Sequence, residues 1–186
     1  TVVETTASLK VGYGKLTAPT PKLSGSAVPG QTLTAVRGTW TSGATFSYRW
    51  YANGVAIPGA TSSKFKVTSK QVGKKITVKV TGKKTAYTTV TKTSASLGVL
   101  KTVTPKISGT VKVGSTLTAV QGTWTTGTSF TYQWYADGIA IPGATSKTLL
   151  LTEAEGGVPI RVKVVGKKTG FTSVAKTSAA TVPVAY

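Results

Sequence analysis

The chain has 186 residues, 39% of them hydrophobic, which is enough apolar material for one large or two small domains and too much for a disordered tail. It contains no His and no Cys, which excludes imidazole chemistry, disulfides and thiolate metal sites. Its 23 Lys and Arg against 4 Asp and Glu give a net charge of +19, a field that attracts anionic polymers without choosing among them.

Only Arg37, Arg49 and Arg161 supply guanidinium groups; the other basic residues are Lys. Point charges of that kind serve diffuse attraction better than bidentate recognition of bases, so nucleic acid is a weak fit. No apolar run is long enough to cross a membrane, and the absence of Met together with a start at Thr1 is the pattern of a mature or excised segment.

One period dominates the chain. Pro21, Trp40, Trp50 and Lys92 recur as Pro105, Trp124, Trp134 and Lys176, always 84 residues later, and 44 of the 78 positions from 21 to 98 are identical to their counterparts. The expected organisation is a repeat over 20–103, a second over 104–186, and a leading segment 1–19. Within that segment "TASLKVGYGKLTAPTPKLSG" echoes "SASLGVLKTVTPKISG", so residues 1–16 read as the last strand of a preceding unit. "TAPTP" and "KTVTP" read as short, Pro-stiffened linkers.

In chain order, each repeat alternates with the period of a strand rather than of a helix. "QTLTAV" turns Leu33 and Ala35 inward. "GTWT" places Trp40, and later Trp124, at a strand end before a Gly-containing turn, either as a plug or as a platform for a sugar ring. In "TFSYRWYA", Phe46, Tyr48 and Trp50 share the core face while Ser47, Arg49 and Tyr51 face out.

Asn53-Gly54 and Asp137-Gly138 are dipeptides suited to a type I′ hairpin, and Pro58-Gly59 and Pro142-Gly143 fit a type II turn. "SKFKVT" buries Phe65 and Val67, and "KKITVKV" buries Ile76, Val78 and Val80. About seven short strands per repeat predict an all-β protein of two sandwiches without disulfides.

The stretches "WYANGVAI" and "WYADGIAI" resemble strand C and the following turn of immunoglobulin-like (Ig-like) domains. The positions of their inter-sheet disulfide are held here by Ala35 and Val78, and by Ala119 and Val162; Ile76 and Ile160 replace their corner tyrosine. The wider pattern, "PKISGTVKVGSTLTAVQGTWTTGTSFTYQWYADGIAIPGATS" followed by "IRVKVVGKKTGF", is similar to tandem Ig-like repeats of actinobacterial secreted and cell-surface proteins. Such repeats are often appended to wall- or polysaccharide-degrading hydrolases. The resemblance implies a non-catalytic accessory module, extracellular or cell-wall associated, fused to a catalytic or further repeat domain.

Catalysis has little to work with. The acids are Glu4, Asp137, Glu153 and Glu155, and the counterparts of Glu153 and Glu155 are Ser69 and Gln71, which marks a polar connection rather than an acid-base pair. "VGYGK" is a fragment of a phosphate loop without its context, and no cofactor is implied.

Candidate ligand residues are the aromatic and basic positions present in both repeats. Tyr51 with Lys79, and Tyr135 with Lys163, share the outer sheet face, where a ring beside a cation suits a charged sugar. Lys83 and Lys84, and Lys167 and Lys168, open a loop beside Tyr87 or Phe171 and suit phosphate or carboxylate groups. With Trp40 and Trp124 these ten predict binding to bacterial cell wall or another anionic, insoluble polysaccharide. The alternative is a structural spacer of a surface adhesin or hydrolase, with no ligand of its own.

Overall fold

The computed structural model describes residues 13–186, so most of the expected leading segment, residues 1–12, lies outside the described residues. Strands β1 (Gly14–Lys15), β2 (Lys22–Ser24), β3 (Thr32–Val36), β4 (Thr45–Ala52), β5 (Val55–Ala56), β6 (Lys64–Lys66), β7 (Lys75–Lys83), β8 (Tyr87–Thr88), β9 (Val90–Thr93) and β10 (Leu97–Gly98) are followed by β11 (Lys106–Ser108), β12 (Thr116–Val120), β13 (Ser129–Ala136), β14 (Ile139–Ala140), β15 (Thr148–Leu150), β16 (Ile160–Lys167) and β17 (Val174–Thr177).

They form two compact units. The first comprises Thr1–Ser24, described from Tyr13, with Thr34–Phe65 and Thr77–Ala95; the second comprises Gly25–Leu33, Lys66–Ile76 and Ser96–Tyr186. The division crosses the first sequence repeat, one end of which belongs with the second.

The second unit contains a complete sandwich. One sheet has the order β11-β12-β15 and the other β14-β13-β16-β17. Lettered in sequence these are A-B-E and C′-C-F-G, with antiparallel pairing throughout. The fold is immunoglobulin-like. Its core holds Leu117, Ala119, Trp134, Leu149, Leu151, Ile160, Val162, Val164 and Val184. Ala119 and Val162, where the resemblance would place a disulfide, are both fully buried apolar residues, so packing around Trp134 takes the place of the bridge.

The connection from β15 to β16 is a single 3₁₀ turn, Glu153–Glu155, closed by a capping box. The Glu155 carboxylate accepts from the Thr152 N–H at 2.9 Å and the Thr152 hydroxyl at 2.7 Å. Gln71 does the same for Thr68. A neutral amide fills the same place in the first repeat, so the cap needs a hydrogen-bond acceptor rather than a charge. Glu155→Ala is expected to cost about 1 kcal/mol, the usual worth of a cap, and Glu155→Gln much less; urea unfolding followed by circular dichroism measures both.

In the first unit, β4 pairs with β5 and β7 with β9. The tight β4–β5 connection needs two residues with positive φ, and Asn53 and Gly54 supply φ of 50° and 81°. Asp137 and Gly138 repeat it at 47° and 80°. Gly59 has φ 70°, and the Ala60 N–H donates to the Ile57 carbonyl at 3.3 Å, which is the expected type II turn. Trp50 is fully buried, stacks on Phe65 at 5.3 Å between centroids, and donates its indole N–H to the Ser62 carbonyl at 2.9 Å.

Candidate functional site

The candidate residues separate into two places. On the outer sheet face, Lys79 is exposed and sets its ammonium 4.8 Å from the centre of the half-buried Tyr51 ring. That is the ring-and-cation pair expected from strand parity. In the second repeat Lys163 stands opposite Gln133, and Arg161 rather than Lys163 stands opposite Tyr135. The Tyr132 phenol points inward against the core, and burial raises its pKa above the usual tyrosine value.

In each unit the other candidates gather at one end of its own sheet. Trp40 is 7% exposed; its ring lies edge-on to Phe46 at 5.3 Å and its indole N–H donates to the Arg37 carbonyl at 2.9 Å. It covers Gly82 so closely that a Cβ there would be 2.5 Å from the ring. Trp124 is 6% exposed and repeats this against Phe130, Gln121 and Gly166. Both tryptophans plug the end of the sandwich, with their rings turned away from solvent.

Beside each plug lies a lysine that is already engaged. Lys84 donates to the Ser42 carbonyl at 2.9 Å and lies 4.6 Å from the Tyr87 ring centre. Lys168 donates to the Thr126 carbonyl at 2.6 Å and lies 5.6 Å from the Phe171 ring centre. Their neighbours Lys83 and Lys167 are exposed.

This end holds a length of chain. In the first unit the Gly14 N–H donates to the Ala86 carbonyl at 2.8 Å and β1 runs parallel to β8. The Thr17 N–H donates to Thr41 Oγ1 at 2.8 Å. In the second unit the Gly98 N–H donates to the Gly170 carbonyl at 2.7 Å, and the Lys101 N–H to Thr125 Oγ1 at 2.8 Å.

Every partner in one set is the residue 84 positions from its equivalent in the other. Leu16 and Leu100 are both 3% exposed, each anchoring its strand. Glycine is required at the crossing: a Cβ on Gly14 would sit 2.8 Å from the Tyr87 ring, and one on Gly98 2.2 Å from the Phe171 ring.

Each unit therefore has its own junction, built in the first from Trp40, Lys84 and Tyr87 and in the second from Trp124, Lys168 and Phe171, around residues that sequence reasoning passed over: Gly14 and Thr41 in the first, Gly98 and Thr125 in the second. The signal for the two glycines was the echo between "VGYGKL" and "SLGVLK". Among the described residues, no three His, Cys, Asp or Glu side chains gather in a way that could hold a metal ion. Nor is any helix there long and apolar enough to cross a membrane.

The chain matches no protein-family model and no curated protein. Among solved structures it is similar to murine CEACAM1b, at 12% identity and a TM-score of 0.43 over 87% of this chain and 96% of that one. It is similar also to the Ig1–Ig3 ectodomain of mouse nectin-like molecule 4, at 19% identity and a TM-score of 0.34 over 92% of this chain and 66% of that one. The tandem Ig repeats of Dlar match at 10% identity and a TM-score of 0.27, over 89% of this chain and 94% of that one.

Proposed function

We propose that this chain is a non-catalytic accessory segment of an extracellular or cell-wall-associated protein, in which Ig-like repeats 20–103 and 104–186 act in series as a spacer. In this reading residues 1–19 end a preceding repeat, and the array carries a hydrolase or further repeats on the same polypeptide. The observation that carries it is the junction built twice at an 84-residue interval, with equivalent positions making the same hydrogen bonds. A spacer needs its repeats joined in a defined way, and conserving that geometry serves reach rather than chemistry. The acids support it: Asp137 sits in a hairpin turn and Glu155 in a cap.

A second reading, attachment to an anionic cell-wall polymer or polysaccharide, is favoured by the exposed Lys79 beside Tyr51 and by the net charge of +19. Sedimentation with insoluble polysaccharides and with Gram-positive walls, before and after removal of their anionic polymers, tests both. The spacer reading expects binding that is weak, unsaturable and abolished as salt rises from about 50 to 200 mM, the behaviour of unstructured charge attraction. Saturable binding that survives salt and is lost in Tyr51→Ala/Tyr135→Ala would overturn the spacer reading in favour of recognition.

A further inference from the structure

The junction in the second unit has a further half. Beyond the docked strand, Thr172 Oγ1 accepts from the Ala27 N–H at 2.9 Å, and the Thr172 N–H donates to the Gly98 carbonyl at 3.2 Å. Ala27, Val28 and Pro29, with Leu100, come up against Val174 and Lys176 around a cavity of about 170 Å³. Ala27 is fully buried there.

The Ala27–Pro29 edge is suited to this use. At the equivalent edge of the second repeat, Val113 donates to the Ala185 carbonyl at 2.8 Å and Ala185 donates to the Val111 carbonyl at 3.0 Å, so the chain's own C-terminal segment closes it. Pro29 replaces Val113 and has no N–H to give. The edge of the first repeat is thereby left to the Thr172 hydroxyl.

Eighty-four residues earlier the same receiving side chains recur as Thr88, Val90 and Lys92, beside a strand docked in the same register. Thr88 is exposed where Thr172 is half-buried. Among the described residues, the first unit thus shows the strand half of the junction with the hydroxyl half open.

We propose that Thr88, Val90 and Lys92 form a docking face for the Ala-Val-Pro-Gly turn of another repeat of this kind. The occupant donates a backbone N–H to Thr88 Oγ1 and lays its proline-bearing turn over Val90 and Lys92. What selects it is continuity with the docked β1 strand, identical receiving residues, and an edge whose proline keeps its own chain from pairing there. The proposal rests on the array reading, and the test separates the two.

The test uses a chain in which residues 1–19 are replaced by a further copy of residues 20–103, so that three repeats stand in series. The protein has no native cysteine, so a pair of introduced thiols reports one contact only. Ala27→Cys in the added copy is combined with Thr88→Cys in the original first repeat. Ala27→Cys with Thr172→Cys in the 186-residue chain is the reference.

Both pairs are expected to form a disulfide under mild oxidation, read as loss of free thiol without dimer. A bridge in the reference alone overturns the docking face and leaves the array reading standing; a bridge in neither overturns both. Amide exchange in the cysteine-free three-repeat chain guards against a folding failure. The Ala27 amide of the added copy is expected to exchange as slowly as that of the original, and exchange more than about tenfold faster, the loss of one ordinary hydrogen bond, also overturns the docking face.

Discussion

Trp134→Ala is expected to lower the unfolding free energy of its sandwich by about 3–5 kcal/mol. Trp134 is fully buried among Leu117, Ala119, Ile160 and Val162, and no disulfide shares the load. Its indole N–H donates to the Ser146 carbonyl at 2.9 Å, and its backbone ties the strand to Ala144 and Ile141. Alanine would leave a cavity in a close-packed interior, and Ser146 would lose its partner. Small domains are stable by about 5–15 kcal/mol, so the loss consumes a large share of the total. Urea unfolding by circular dichroism checks it. A cost under about 1 kcal/mol would mean that the core does not depend on this side chain.

Gly98→Val is expected to cost about 2–4 kcal/mol, from an overpacked contact and the hydrogen bonds that part with it. A Cβ at that position would lie 2.2 Å from the Phe171 ring, at an atom near the root of the side chain, so a rotation of the ring tip cannot relieve it. Moving Phe171 away withdraws Gly170 and Thr172, whose bonds to Gly98 are 2.7 and 3.2 Å long.

The partner residue provides the control. In a double-mutant cycle with Phe171→Ala, the cost of Gly98→Val should fall by more than about 1 kcal/mol, because the clash is gone. Additive costs would show that Gly98 is small for some reason other than the ring. Ala27 and Thr172 amide exchange should quicken in Gly98→Val and stay unchanged in a substitution at the exposed Lys163.

What could be read in advance follows from where the information lies. The alternation that buries Phe46, Tyr48 and Trp50 on one face is local, with period two, and the positive-φ pairs at Asn53-Gly54 and Asp137-Gly138 are determined by two adjacent residues. Tyr51 and Lys79 could be placed on one face by parity, and their contact at 4.8 Å follows from it.

The junction was not legible in that way. Gly14 and Gly98 contribute by lacking a side chain, which leaves no periodic trace, and their partners Tyr87 and Phe171 lie 73 residues further along. Lys84 and Lys168, expected on a loop to suit phosphate or carboxylate groups, are held by carbonyls of the β3–β4 and β12–β13 connections, 42 residues upstream. No local rule links a lysine to a carbonyl that far away. The role of Thr172 depended on a donor, Ala27, at a separation of 145 residues.

The Gly98 amide reports most directly on whether the linker strand is docked. Measured by NMR hydrogen exchange in the whole chain, the amides of Gly98 and Thr172 should exchange slowly, within about tenfold of core amides such as that of Val162, because each is held in a closed hydrogen bond. Fast exchange at both, at the rate of an open turn, would show that the linker strand is not docked and that the two repeats share no built junction.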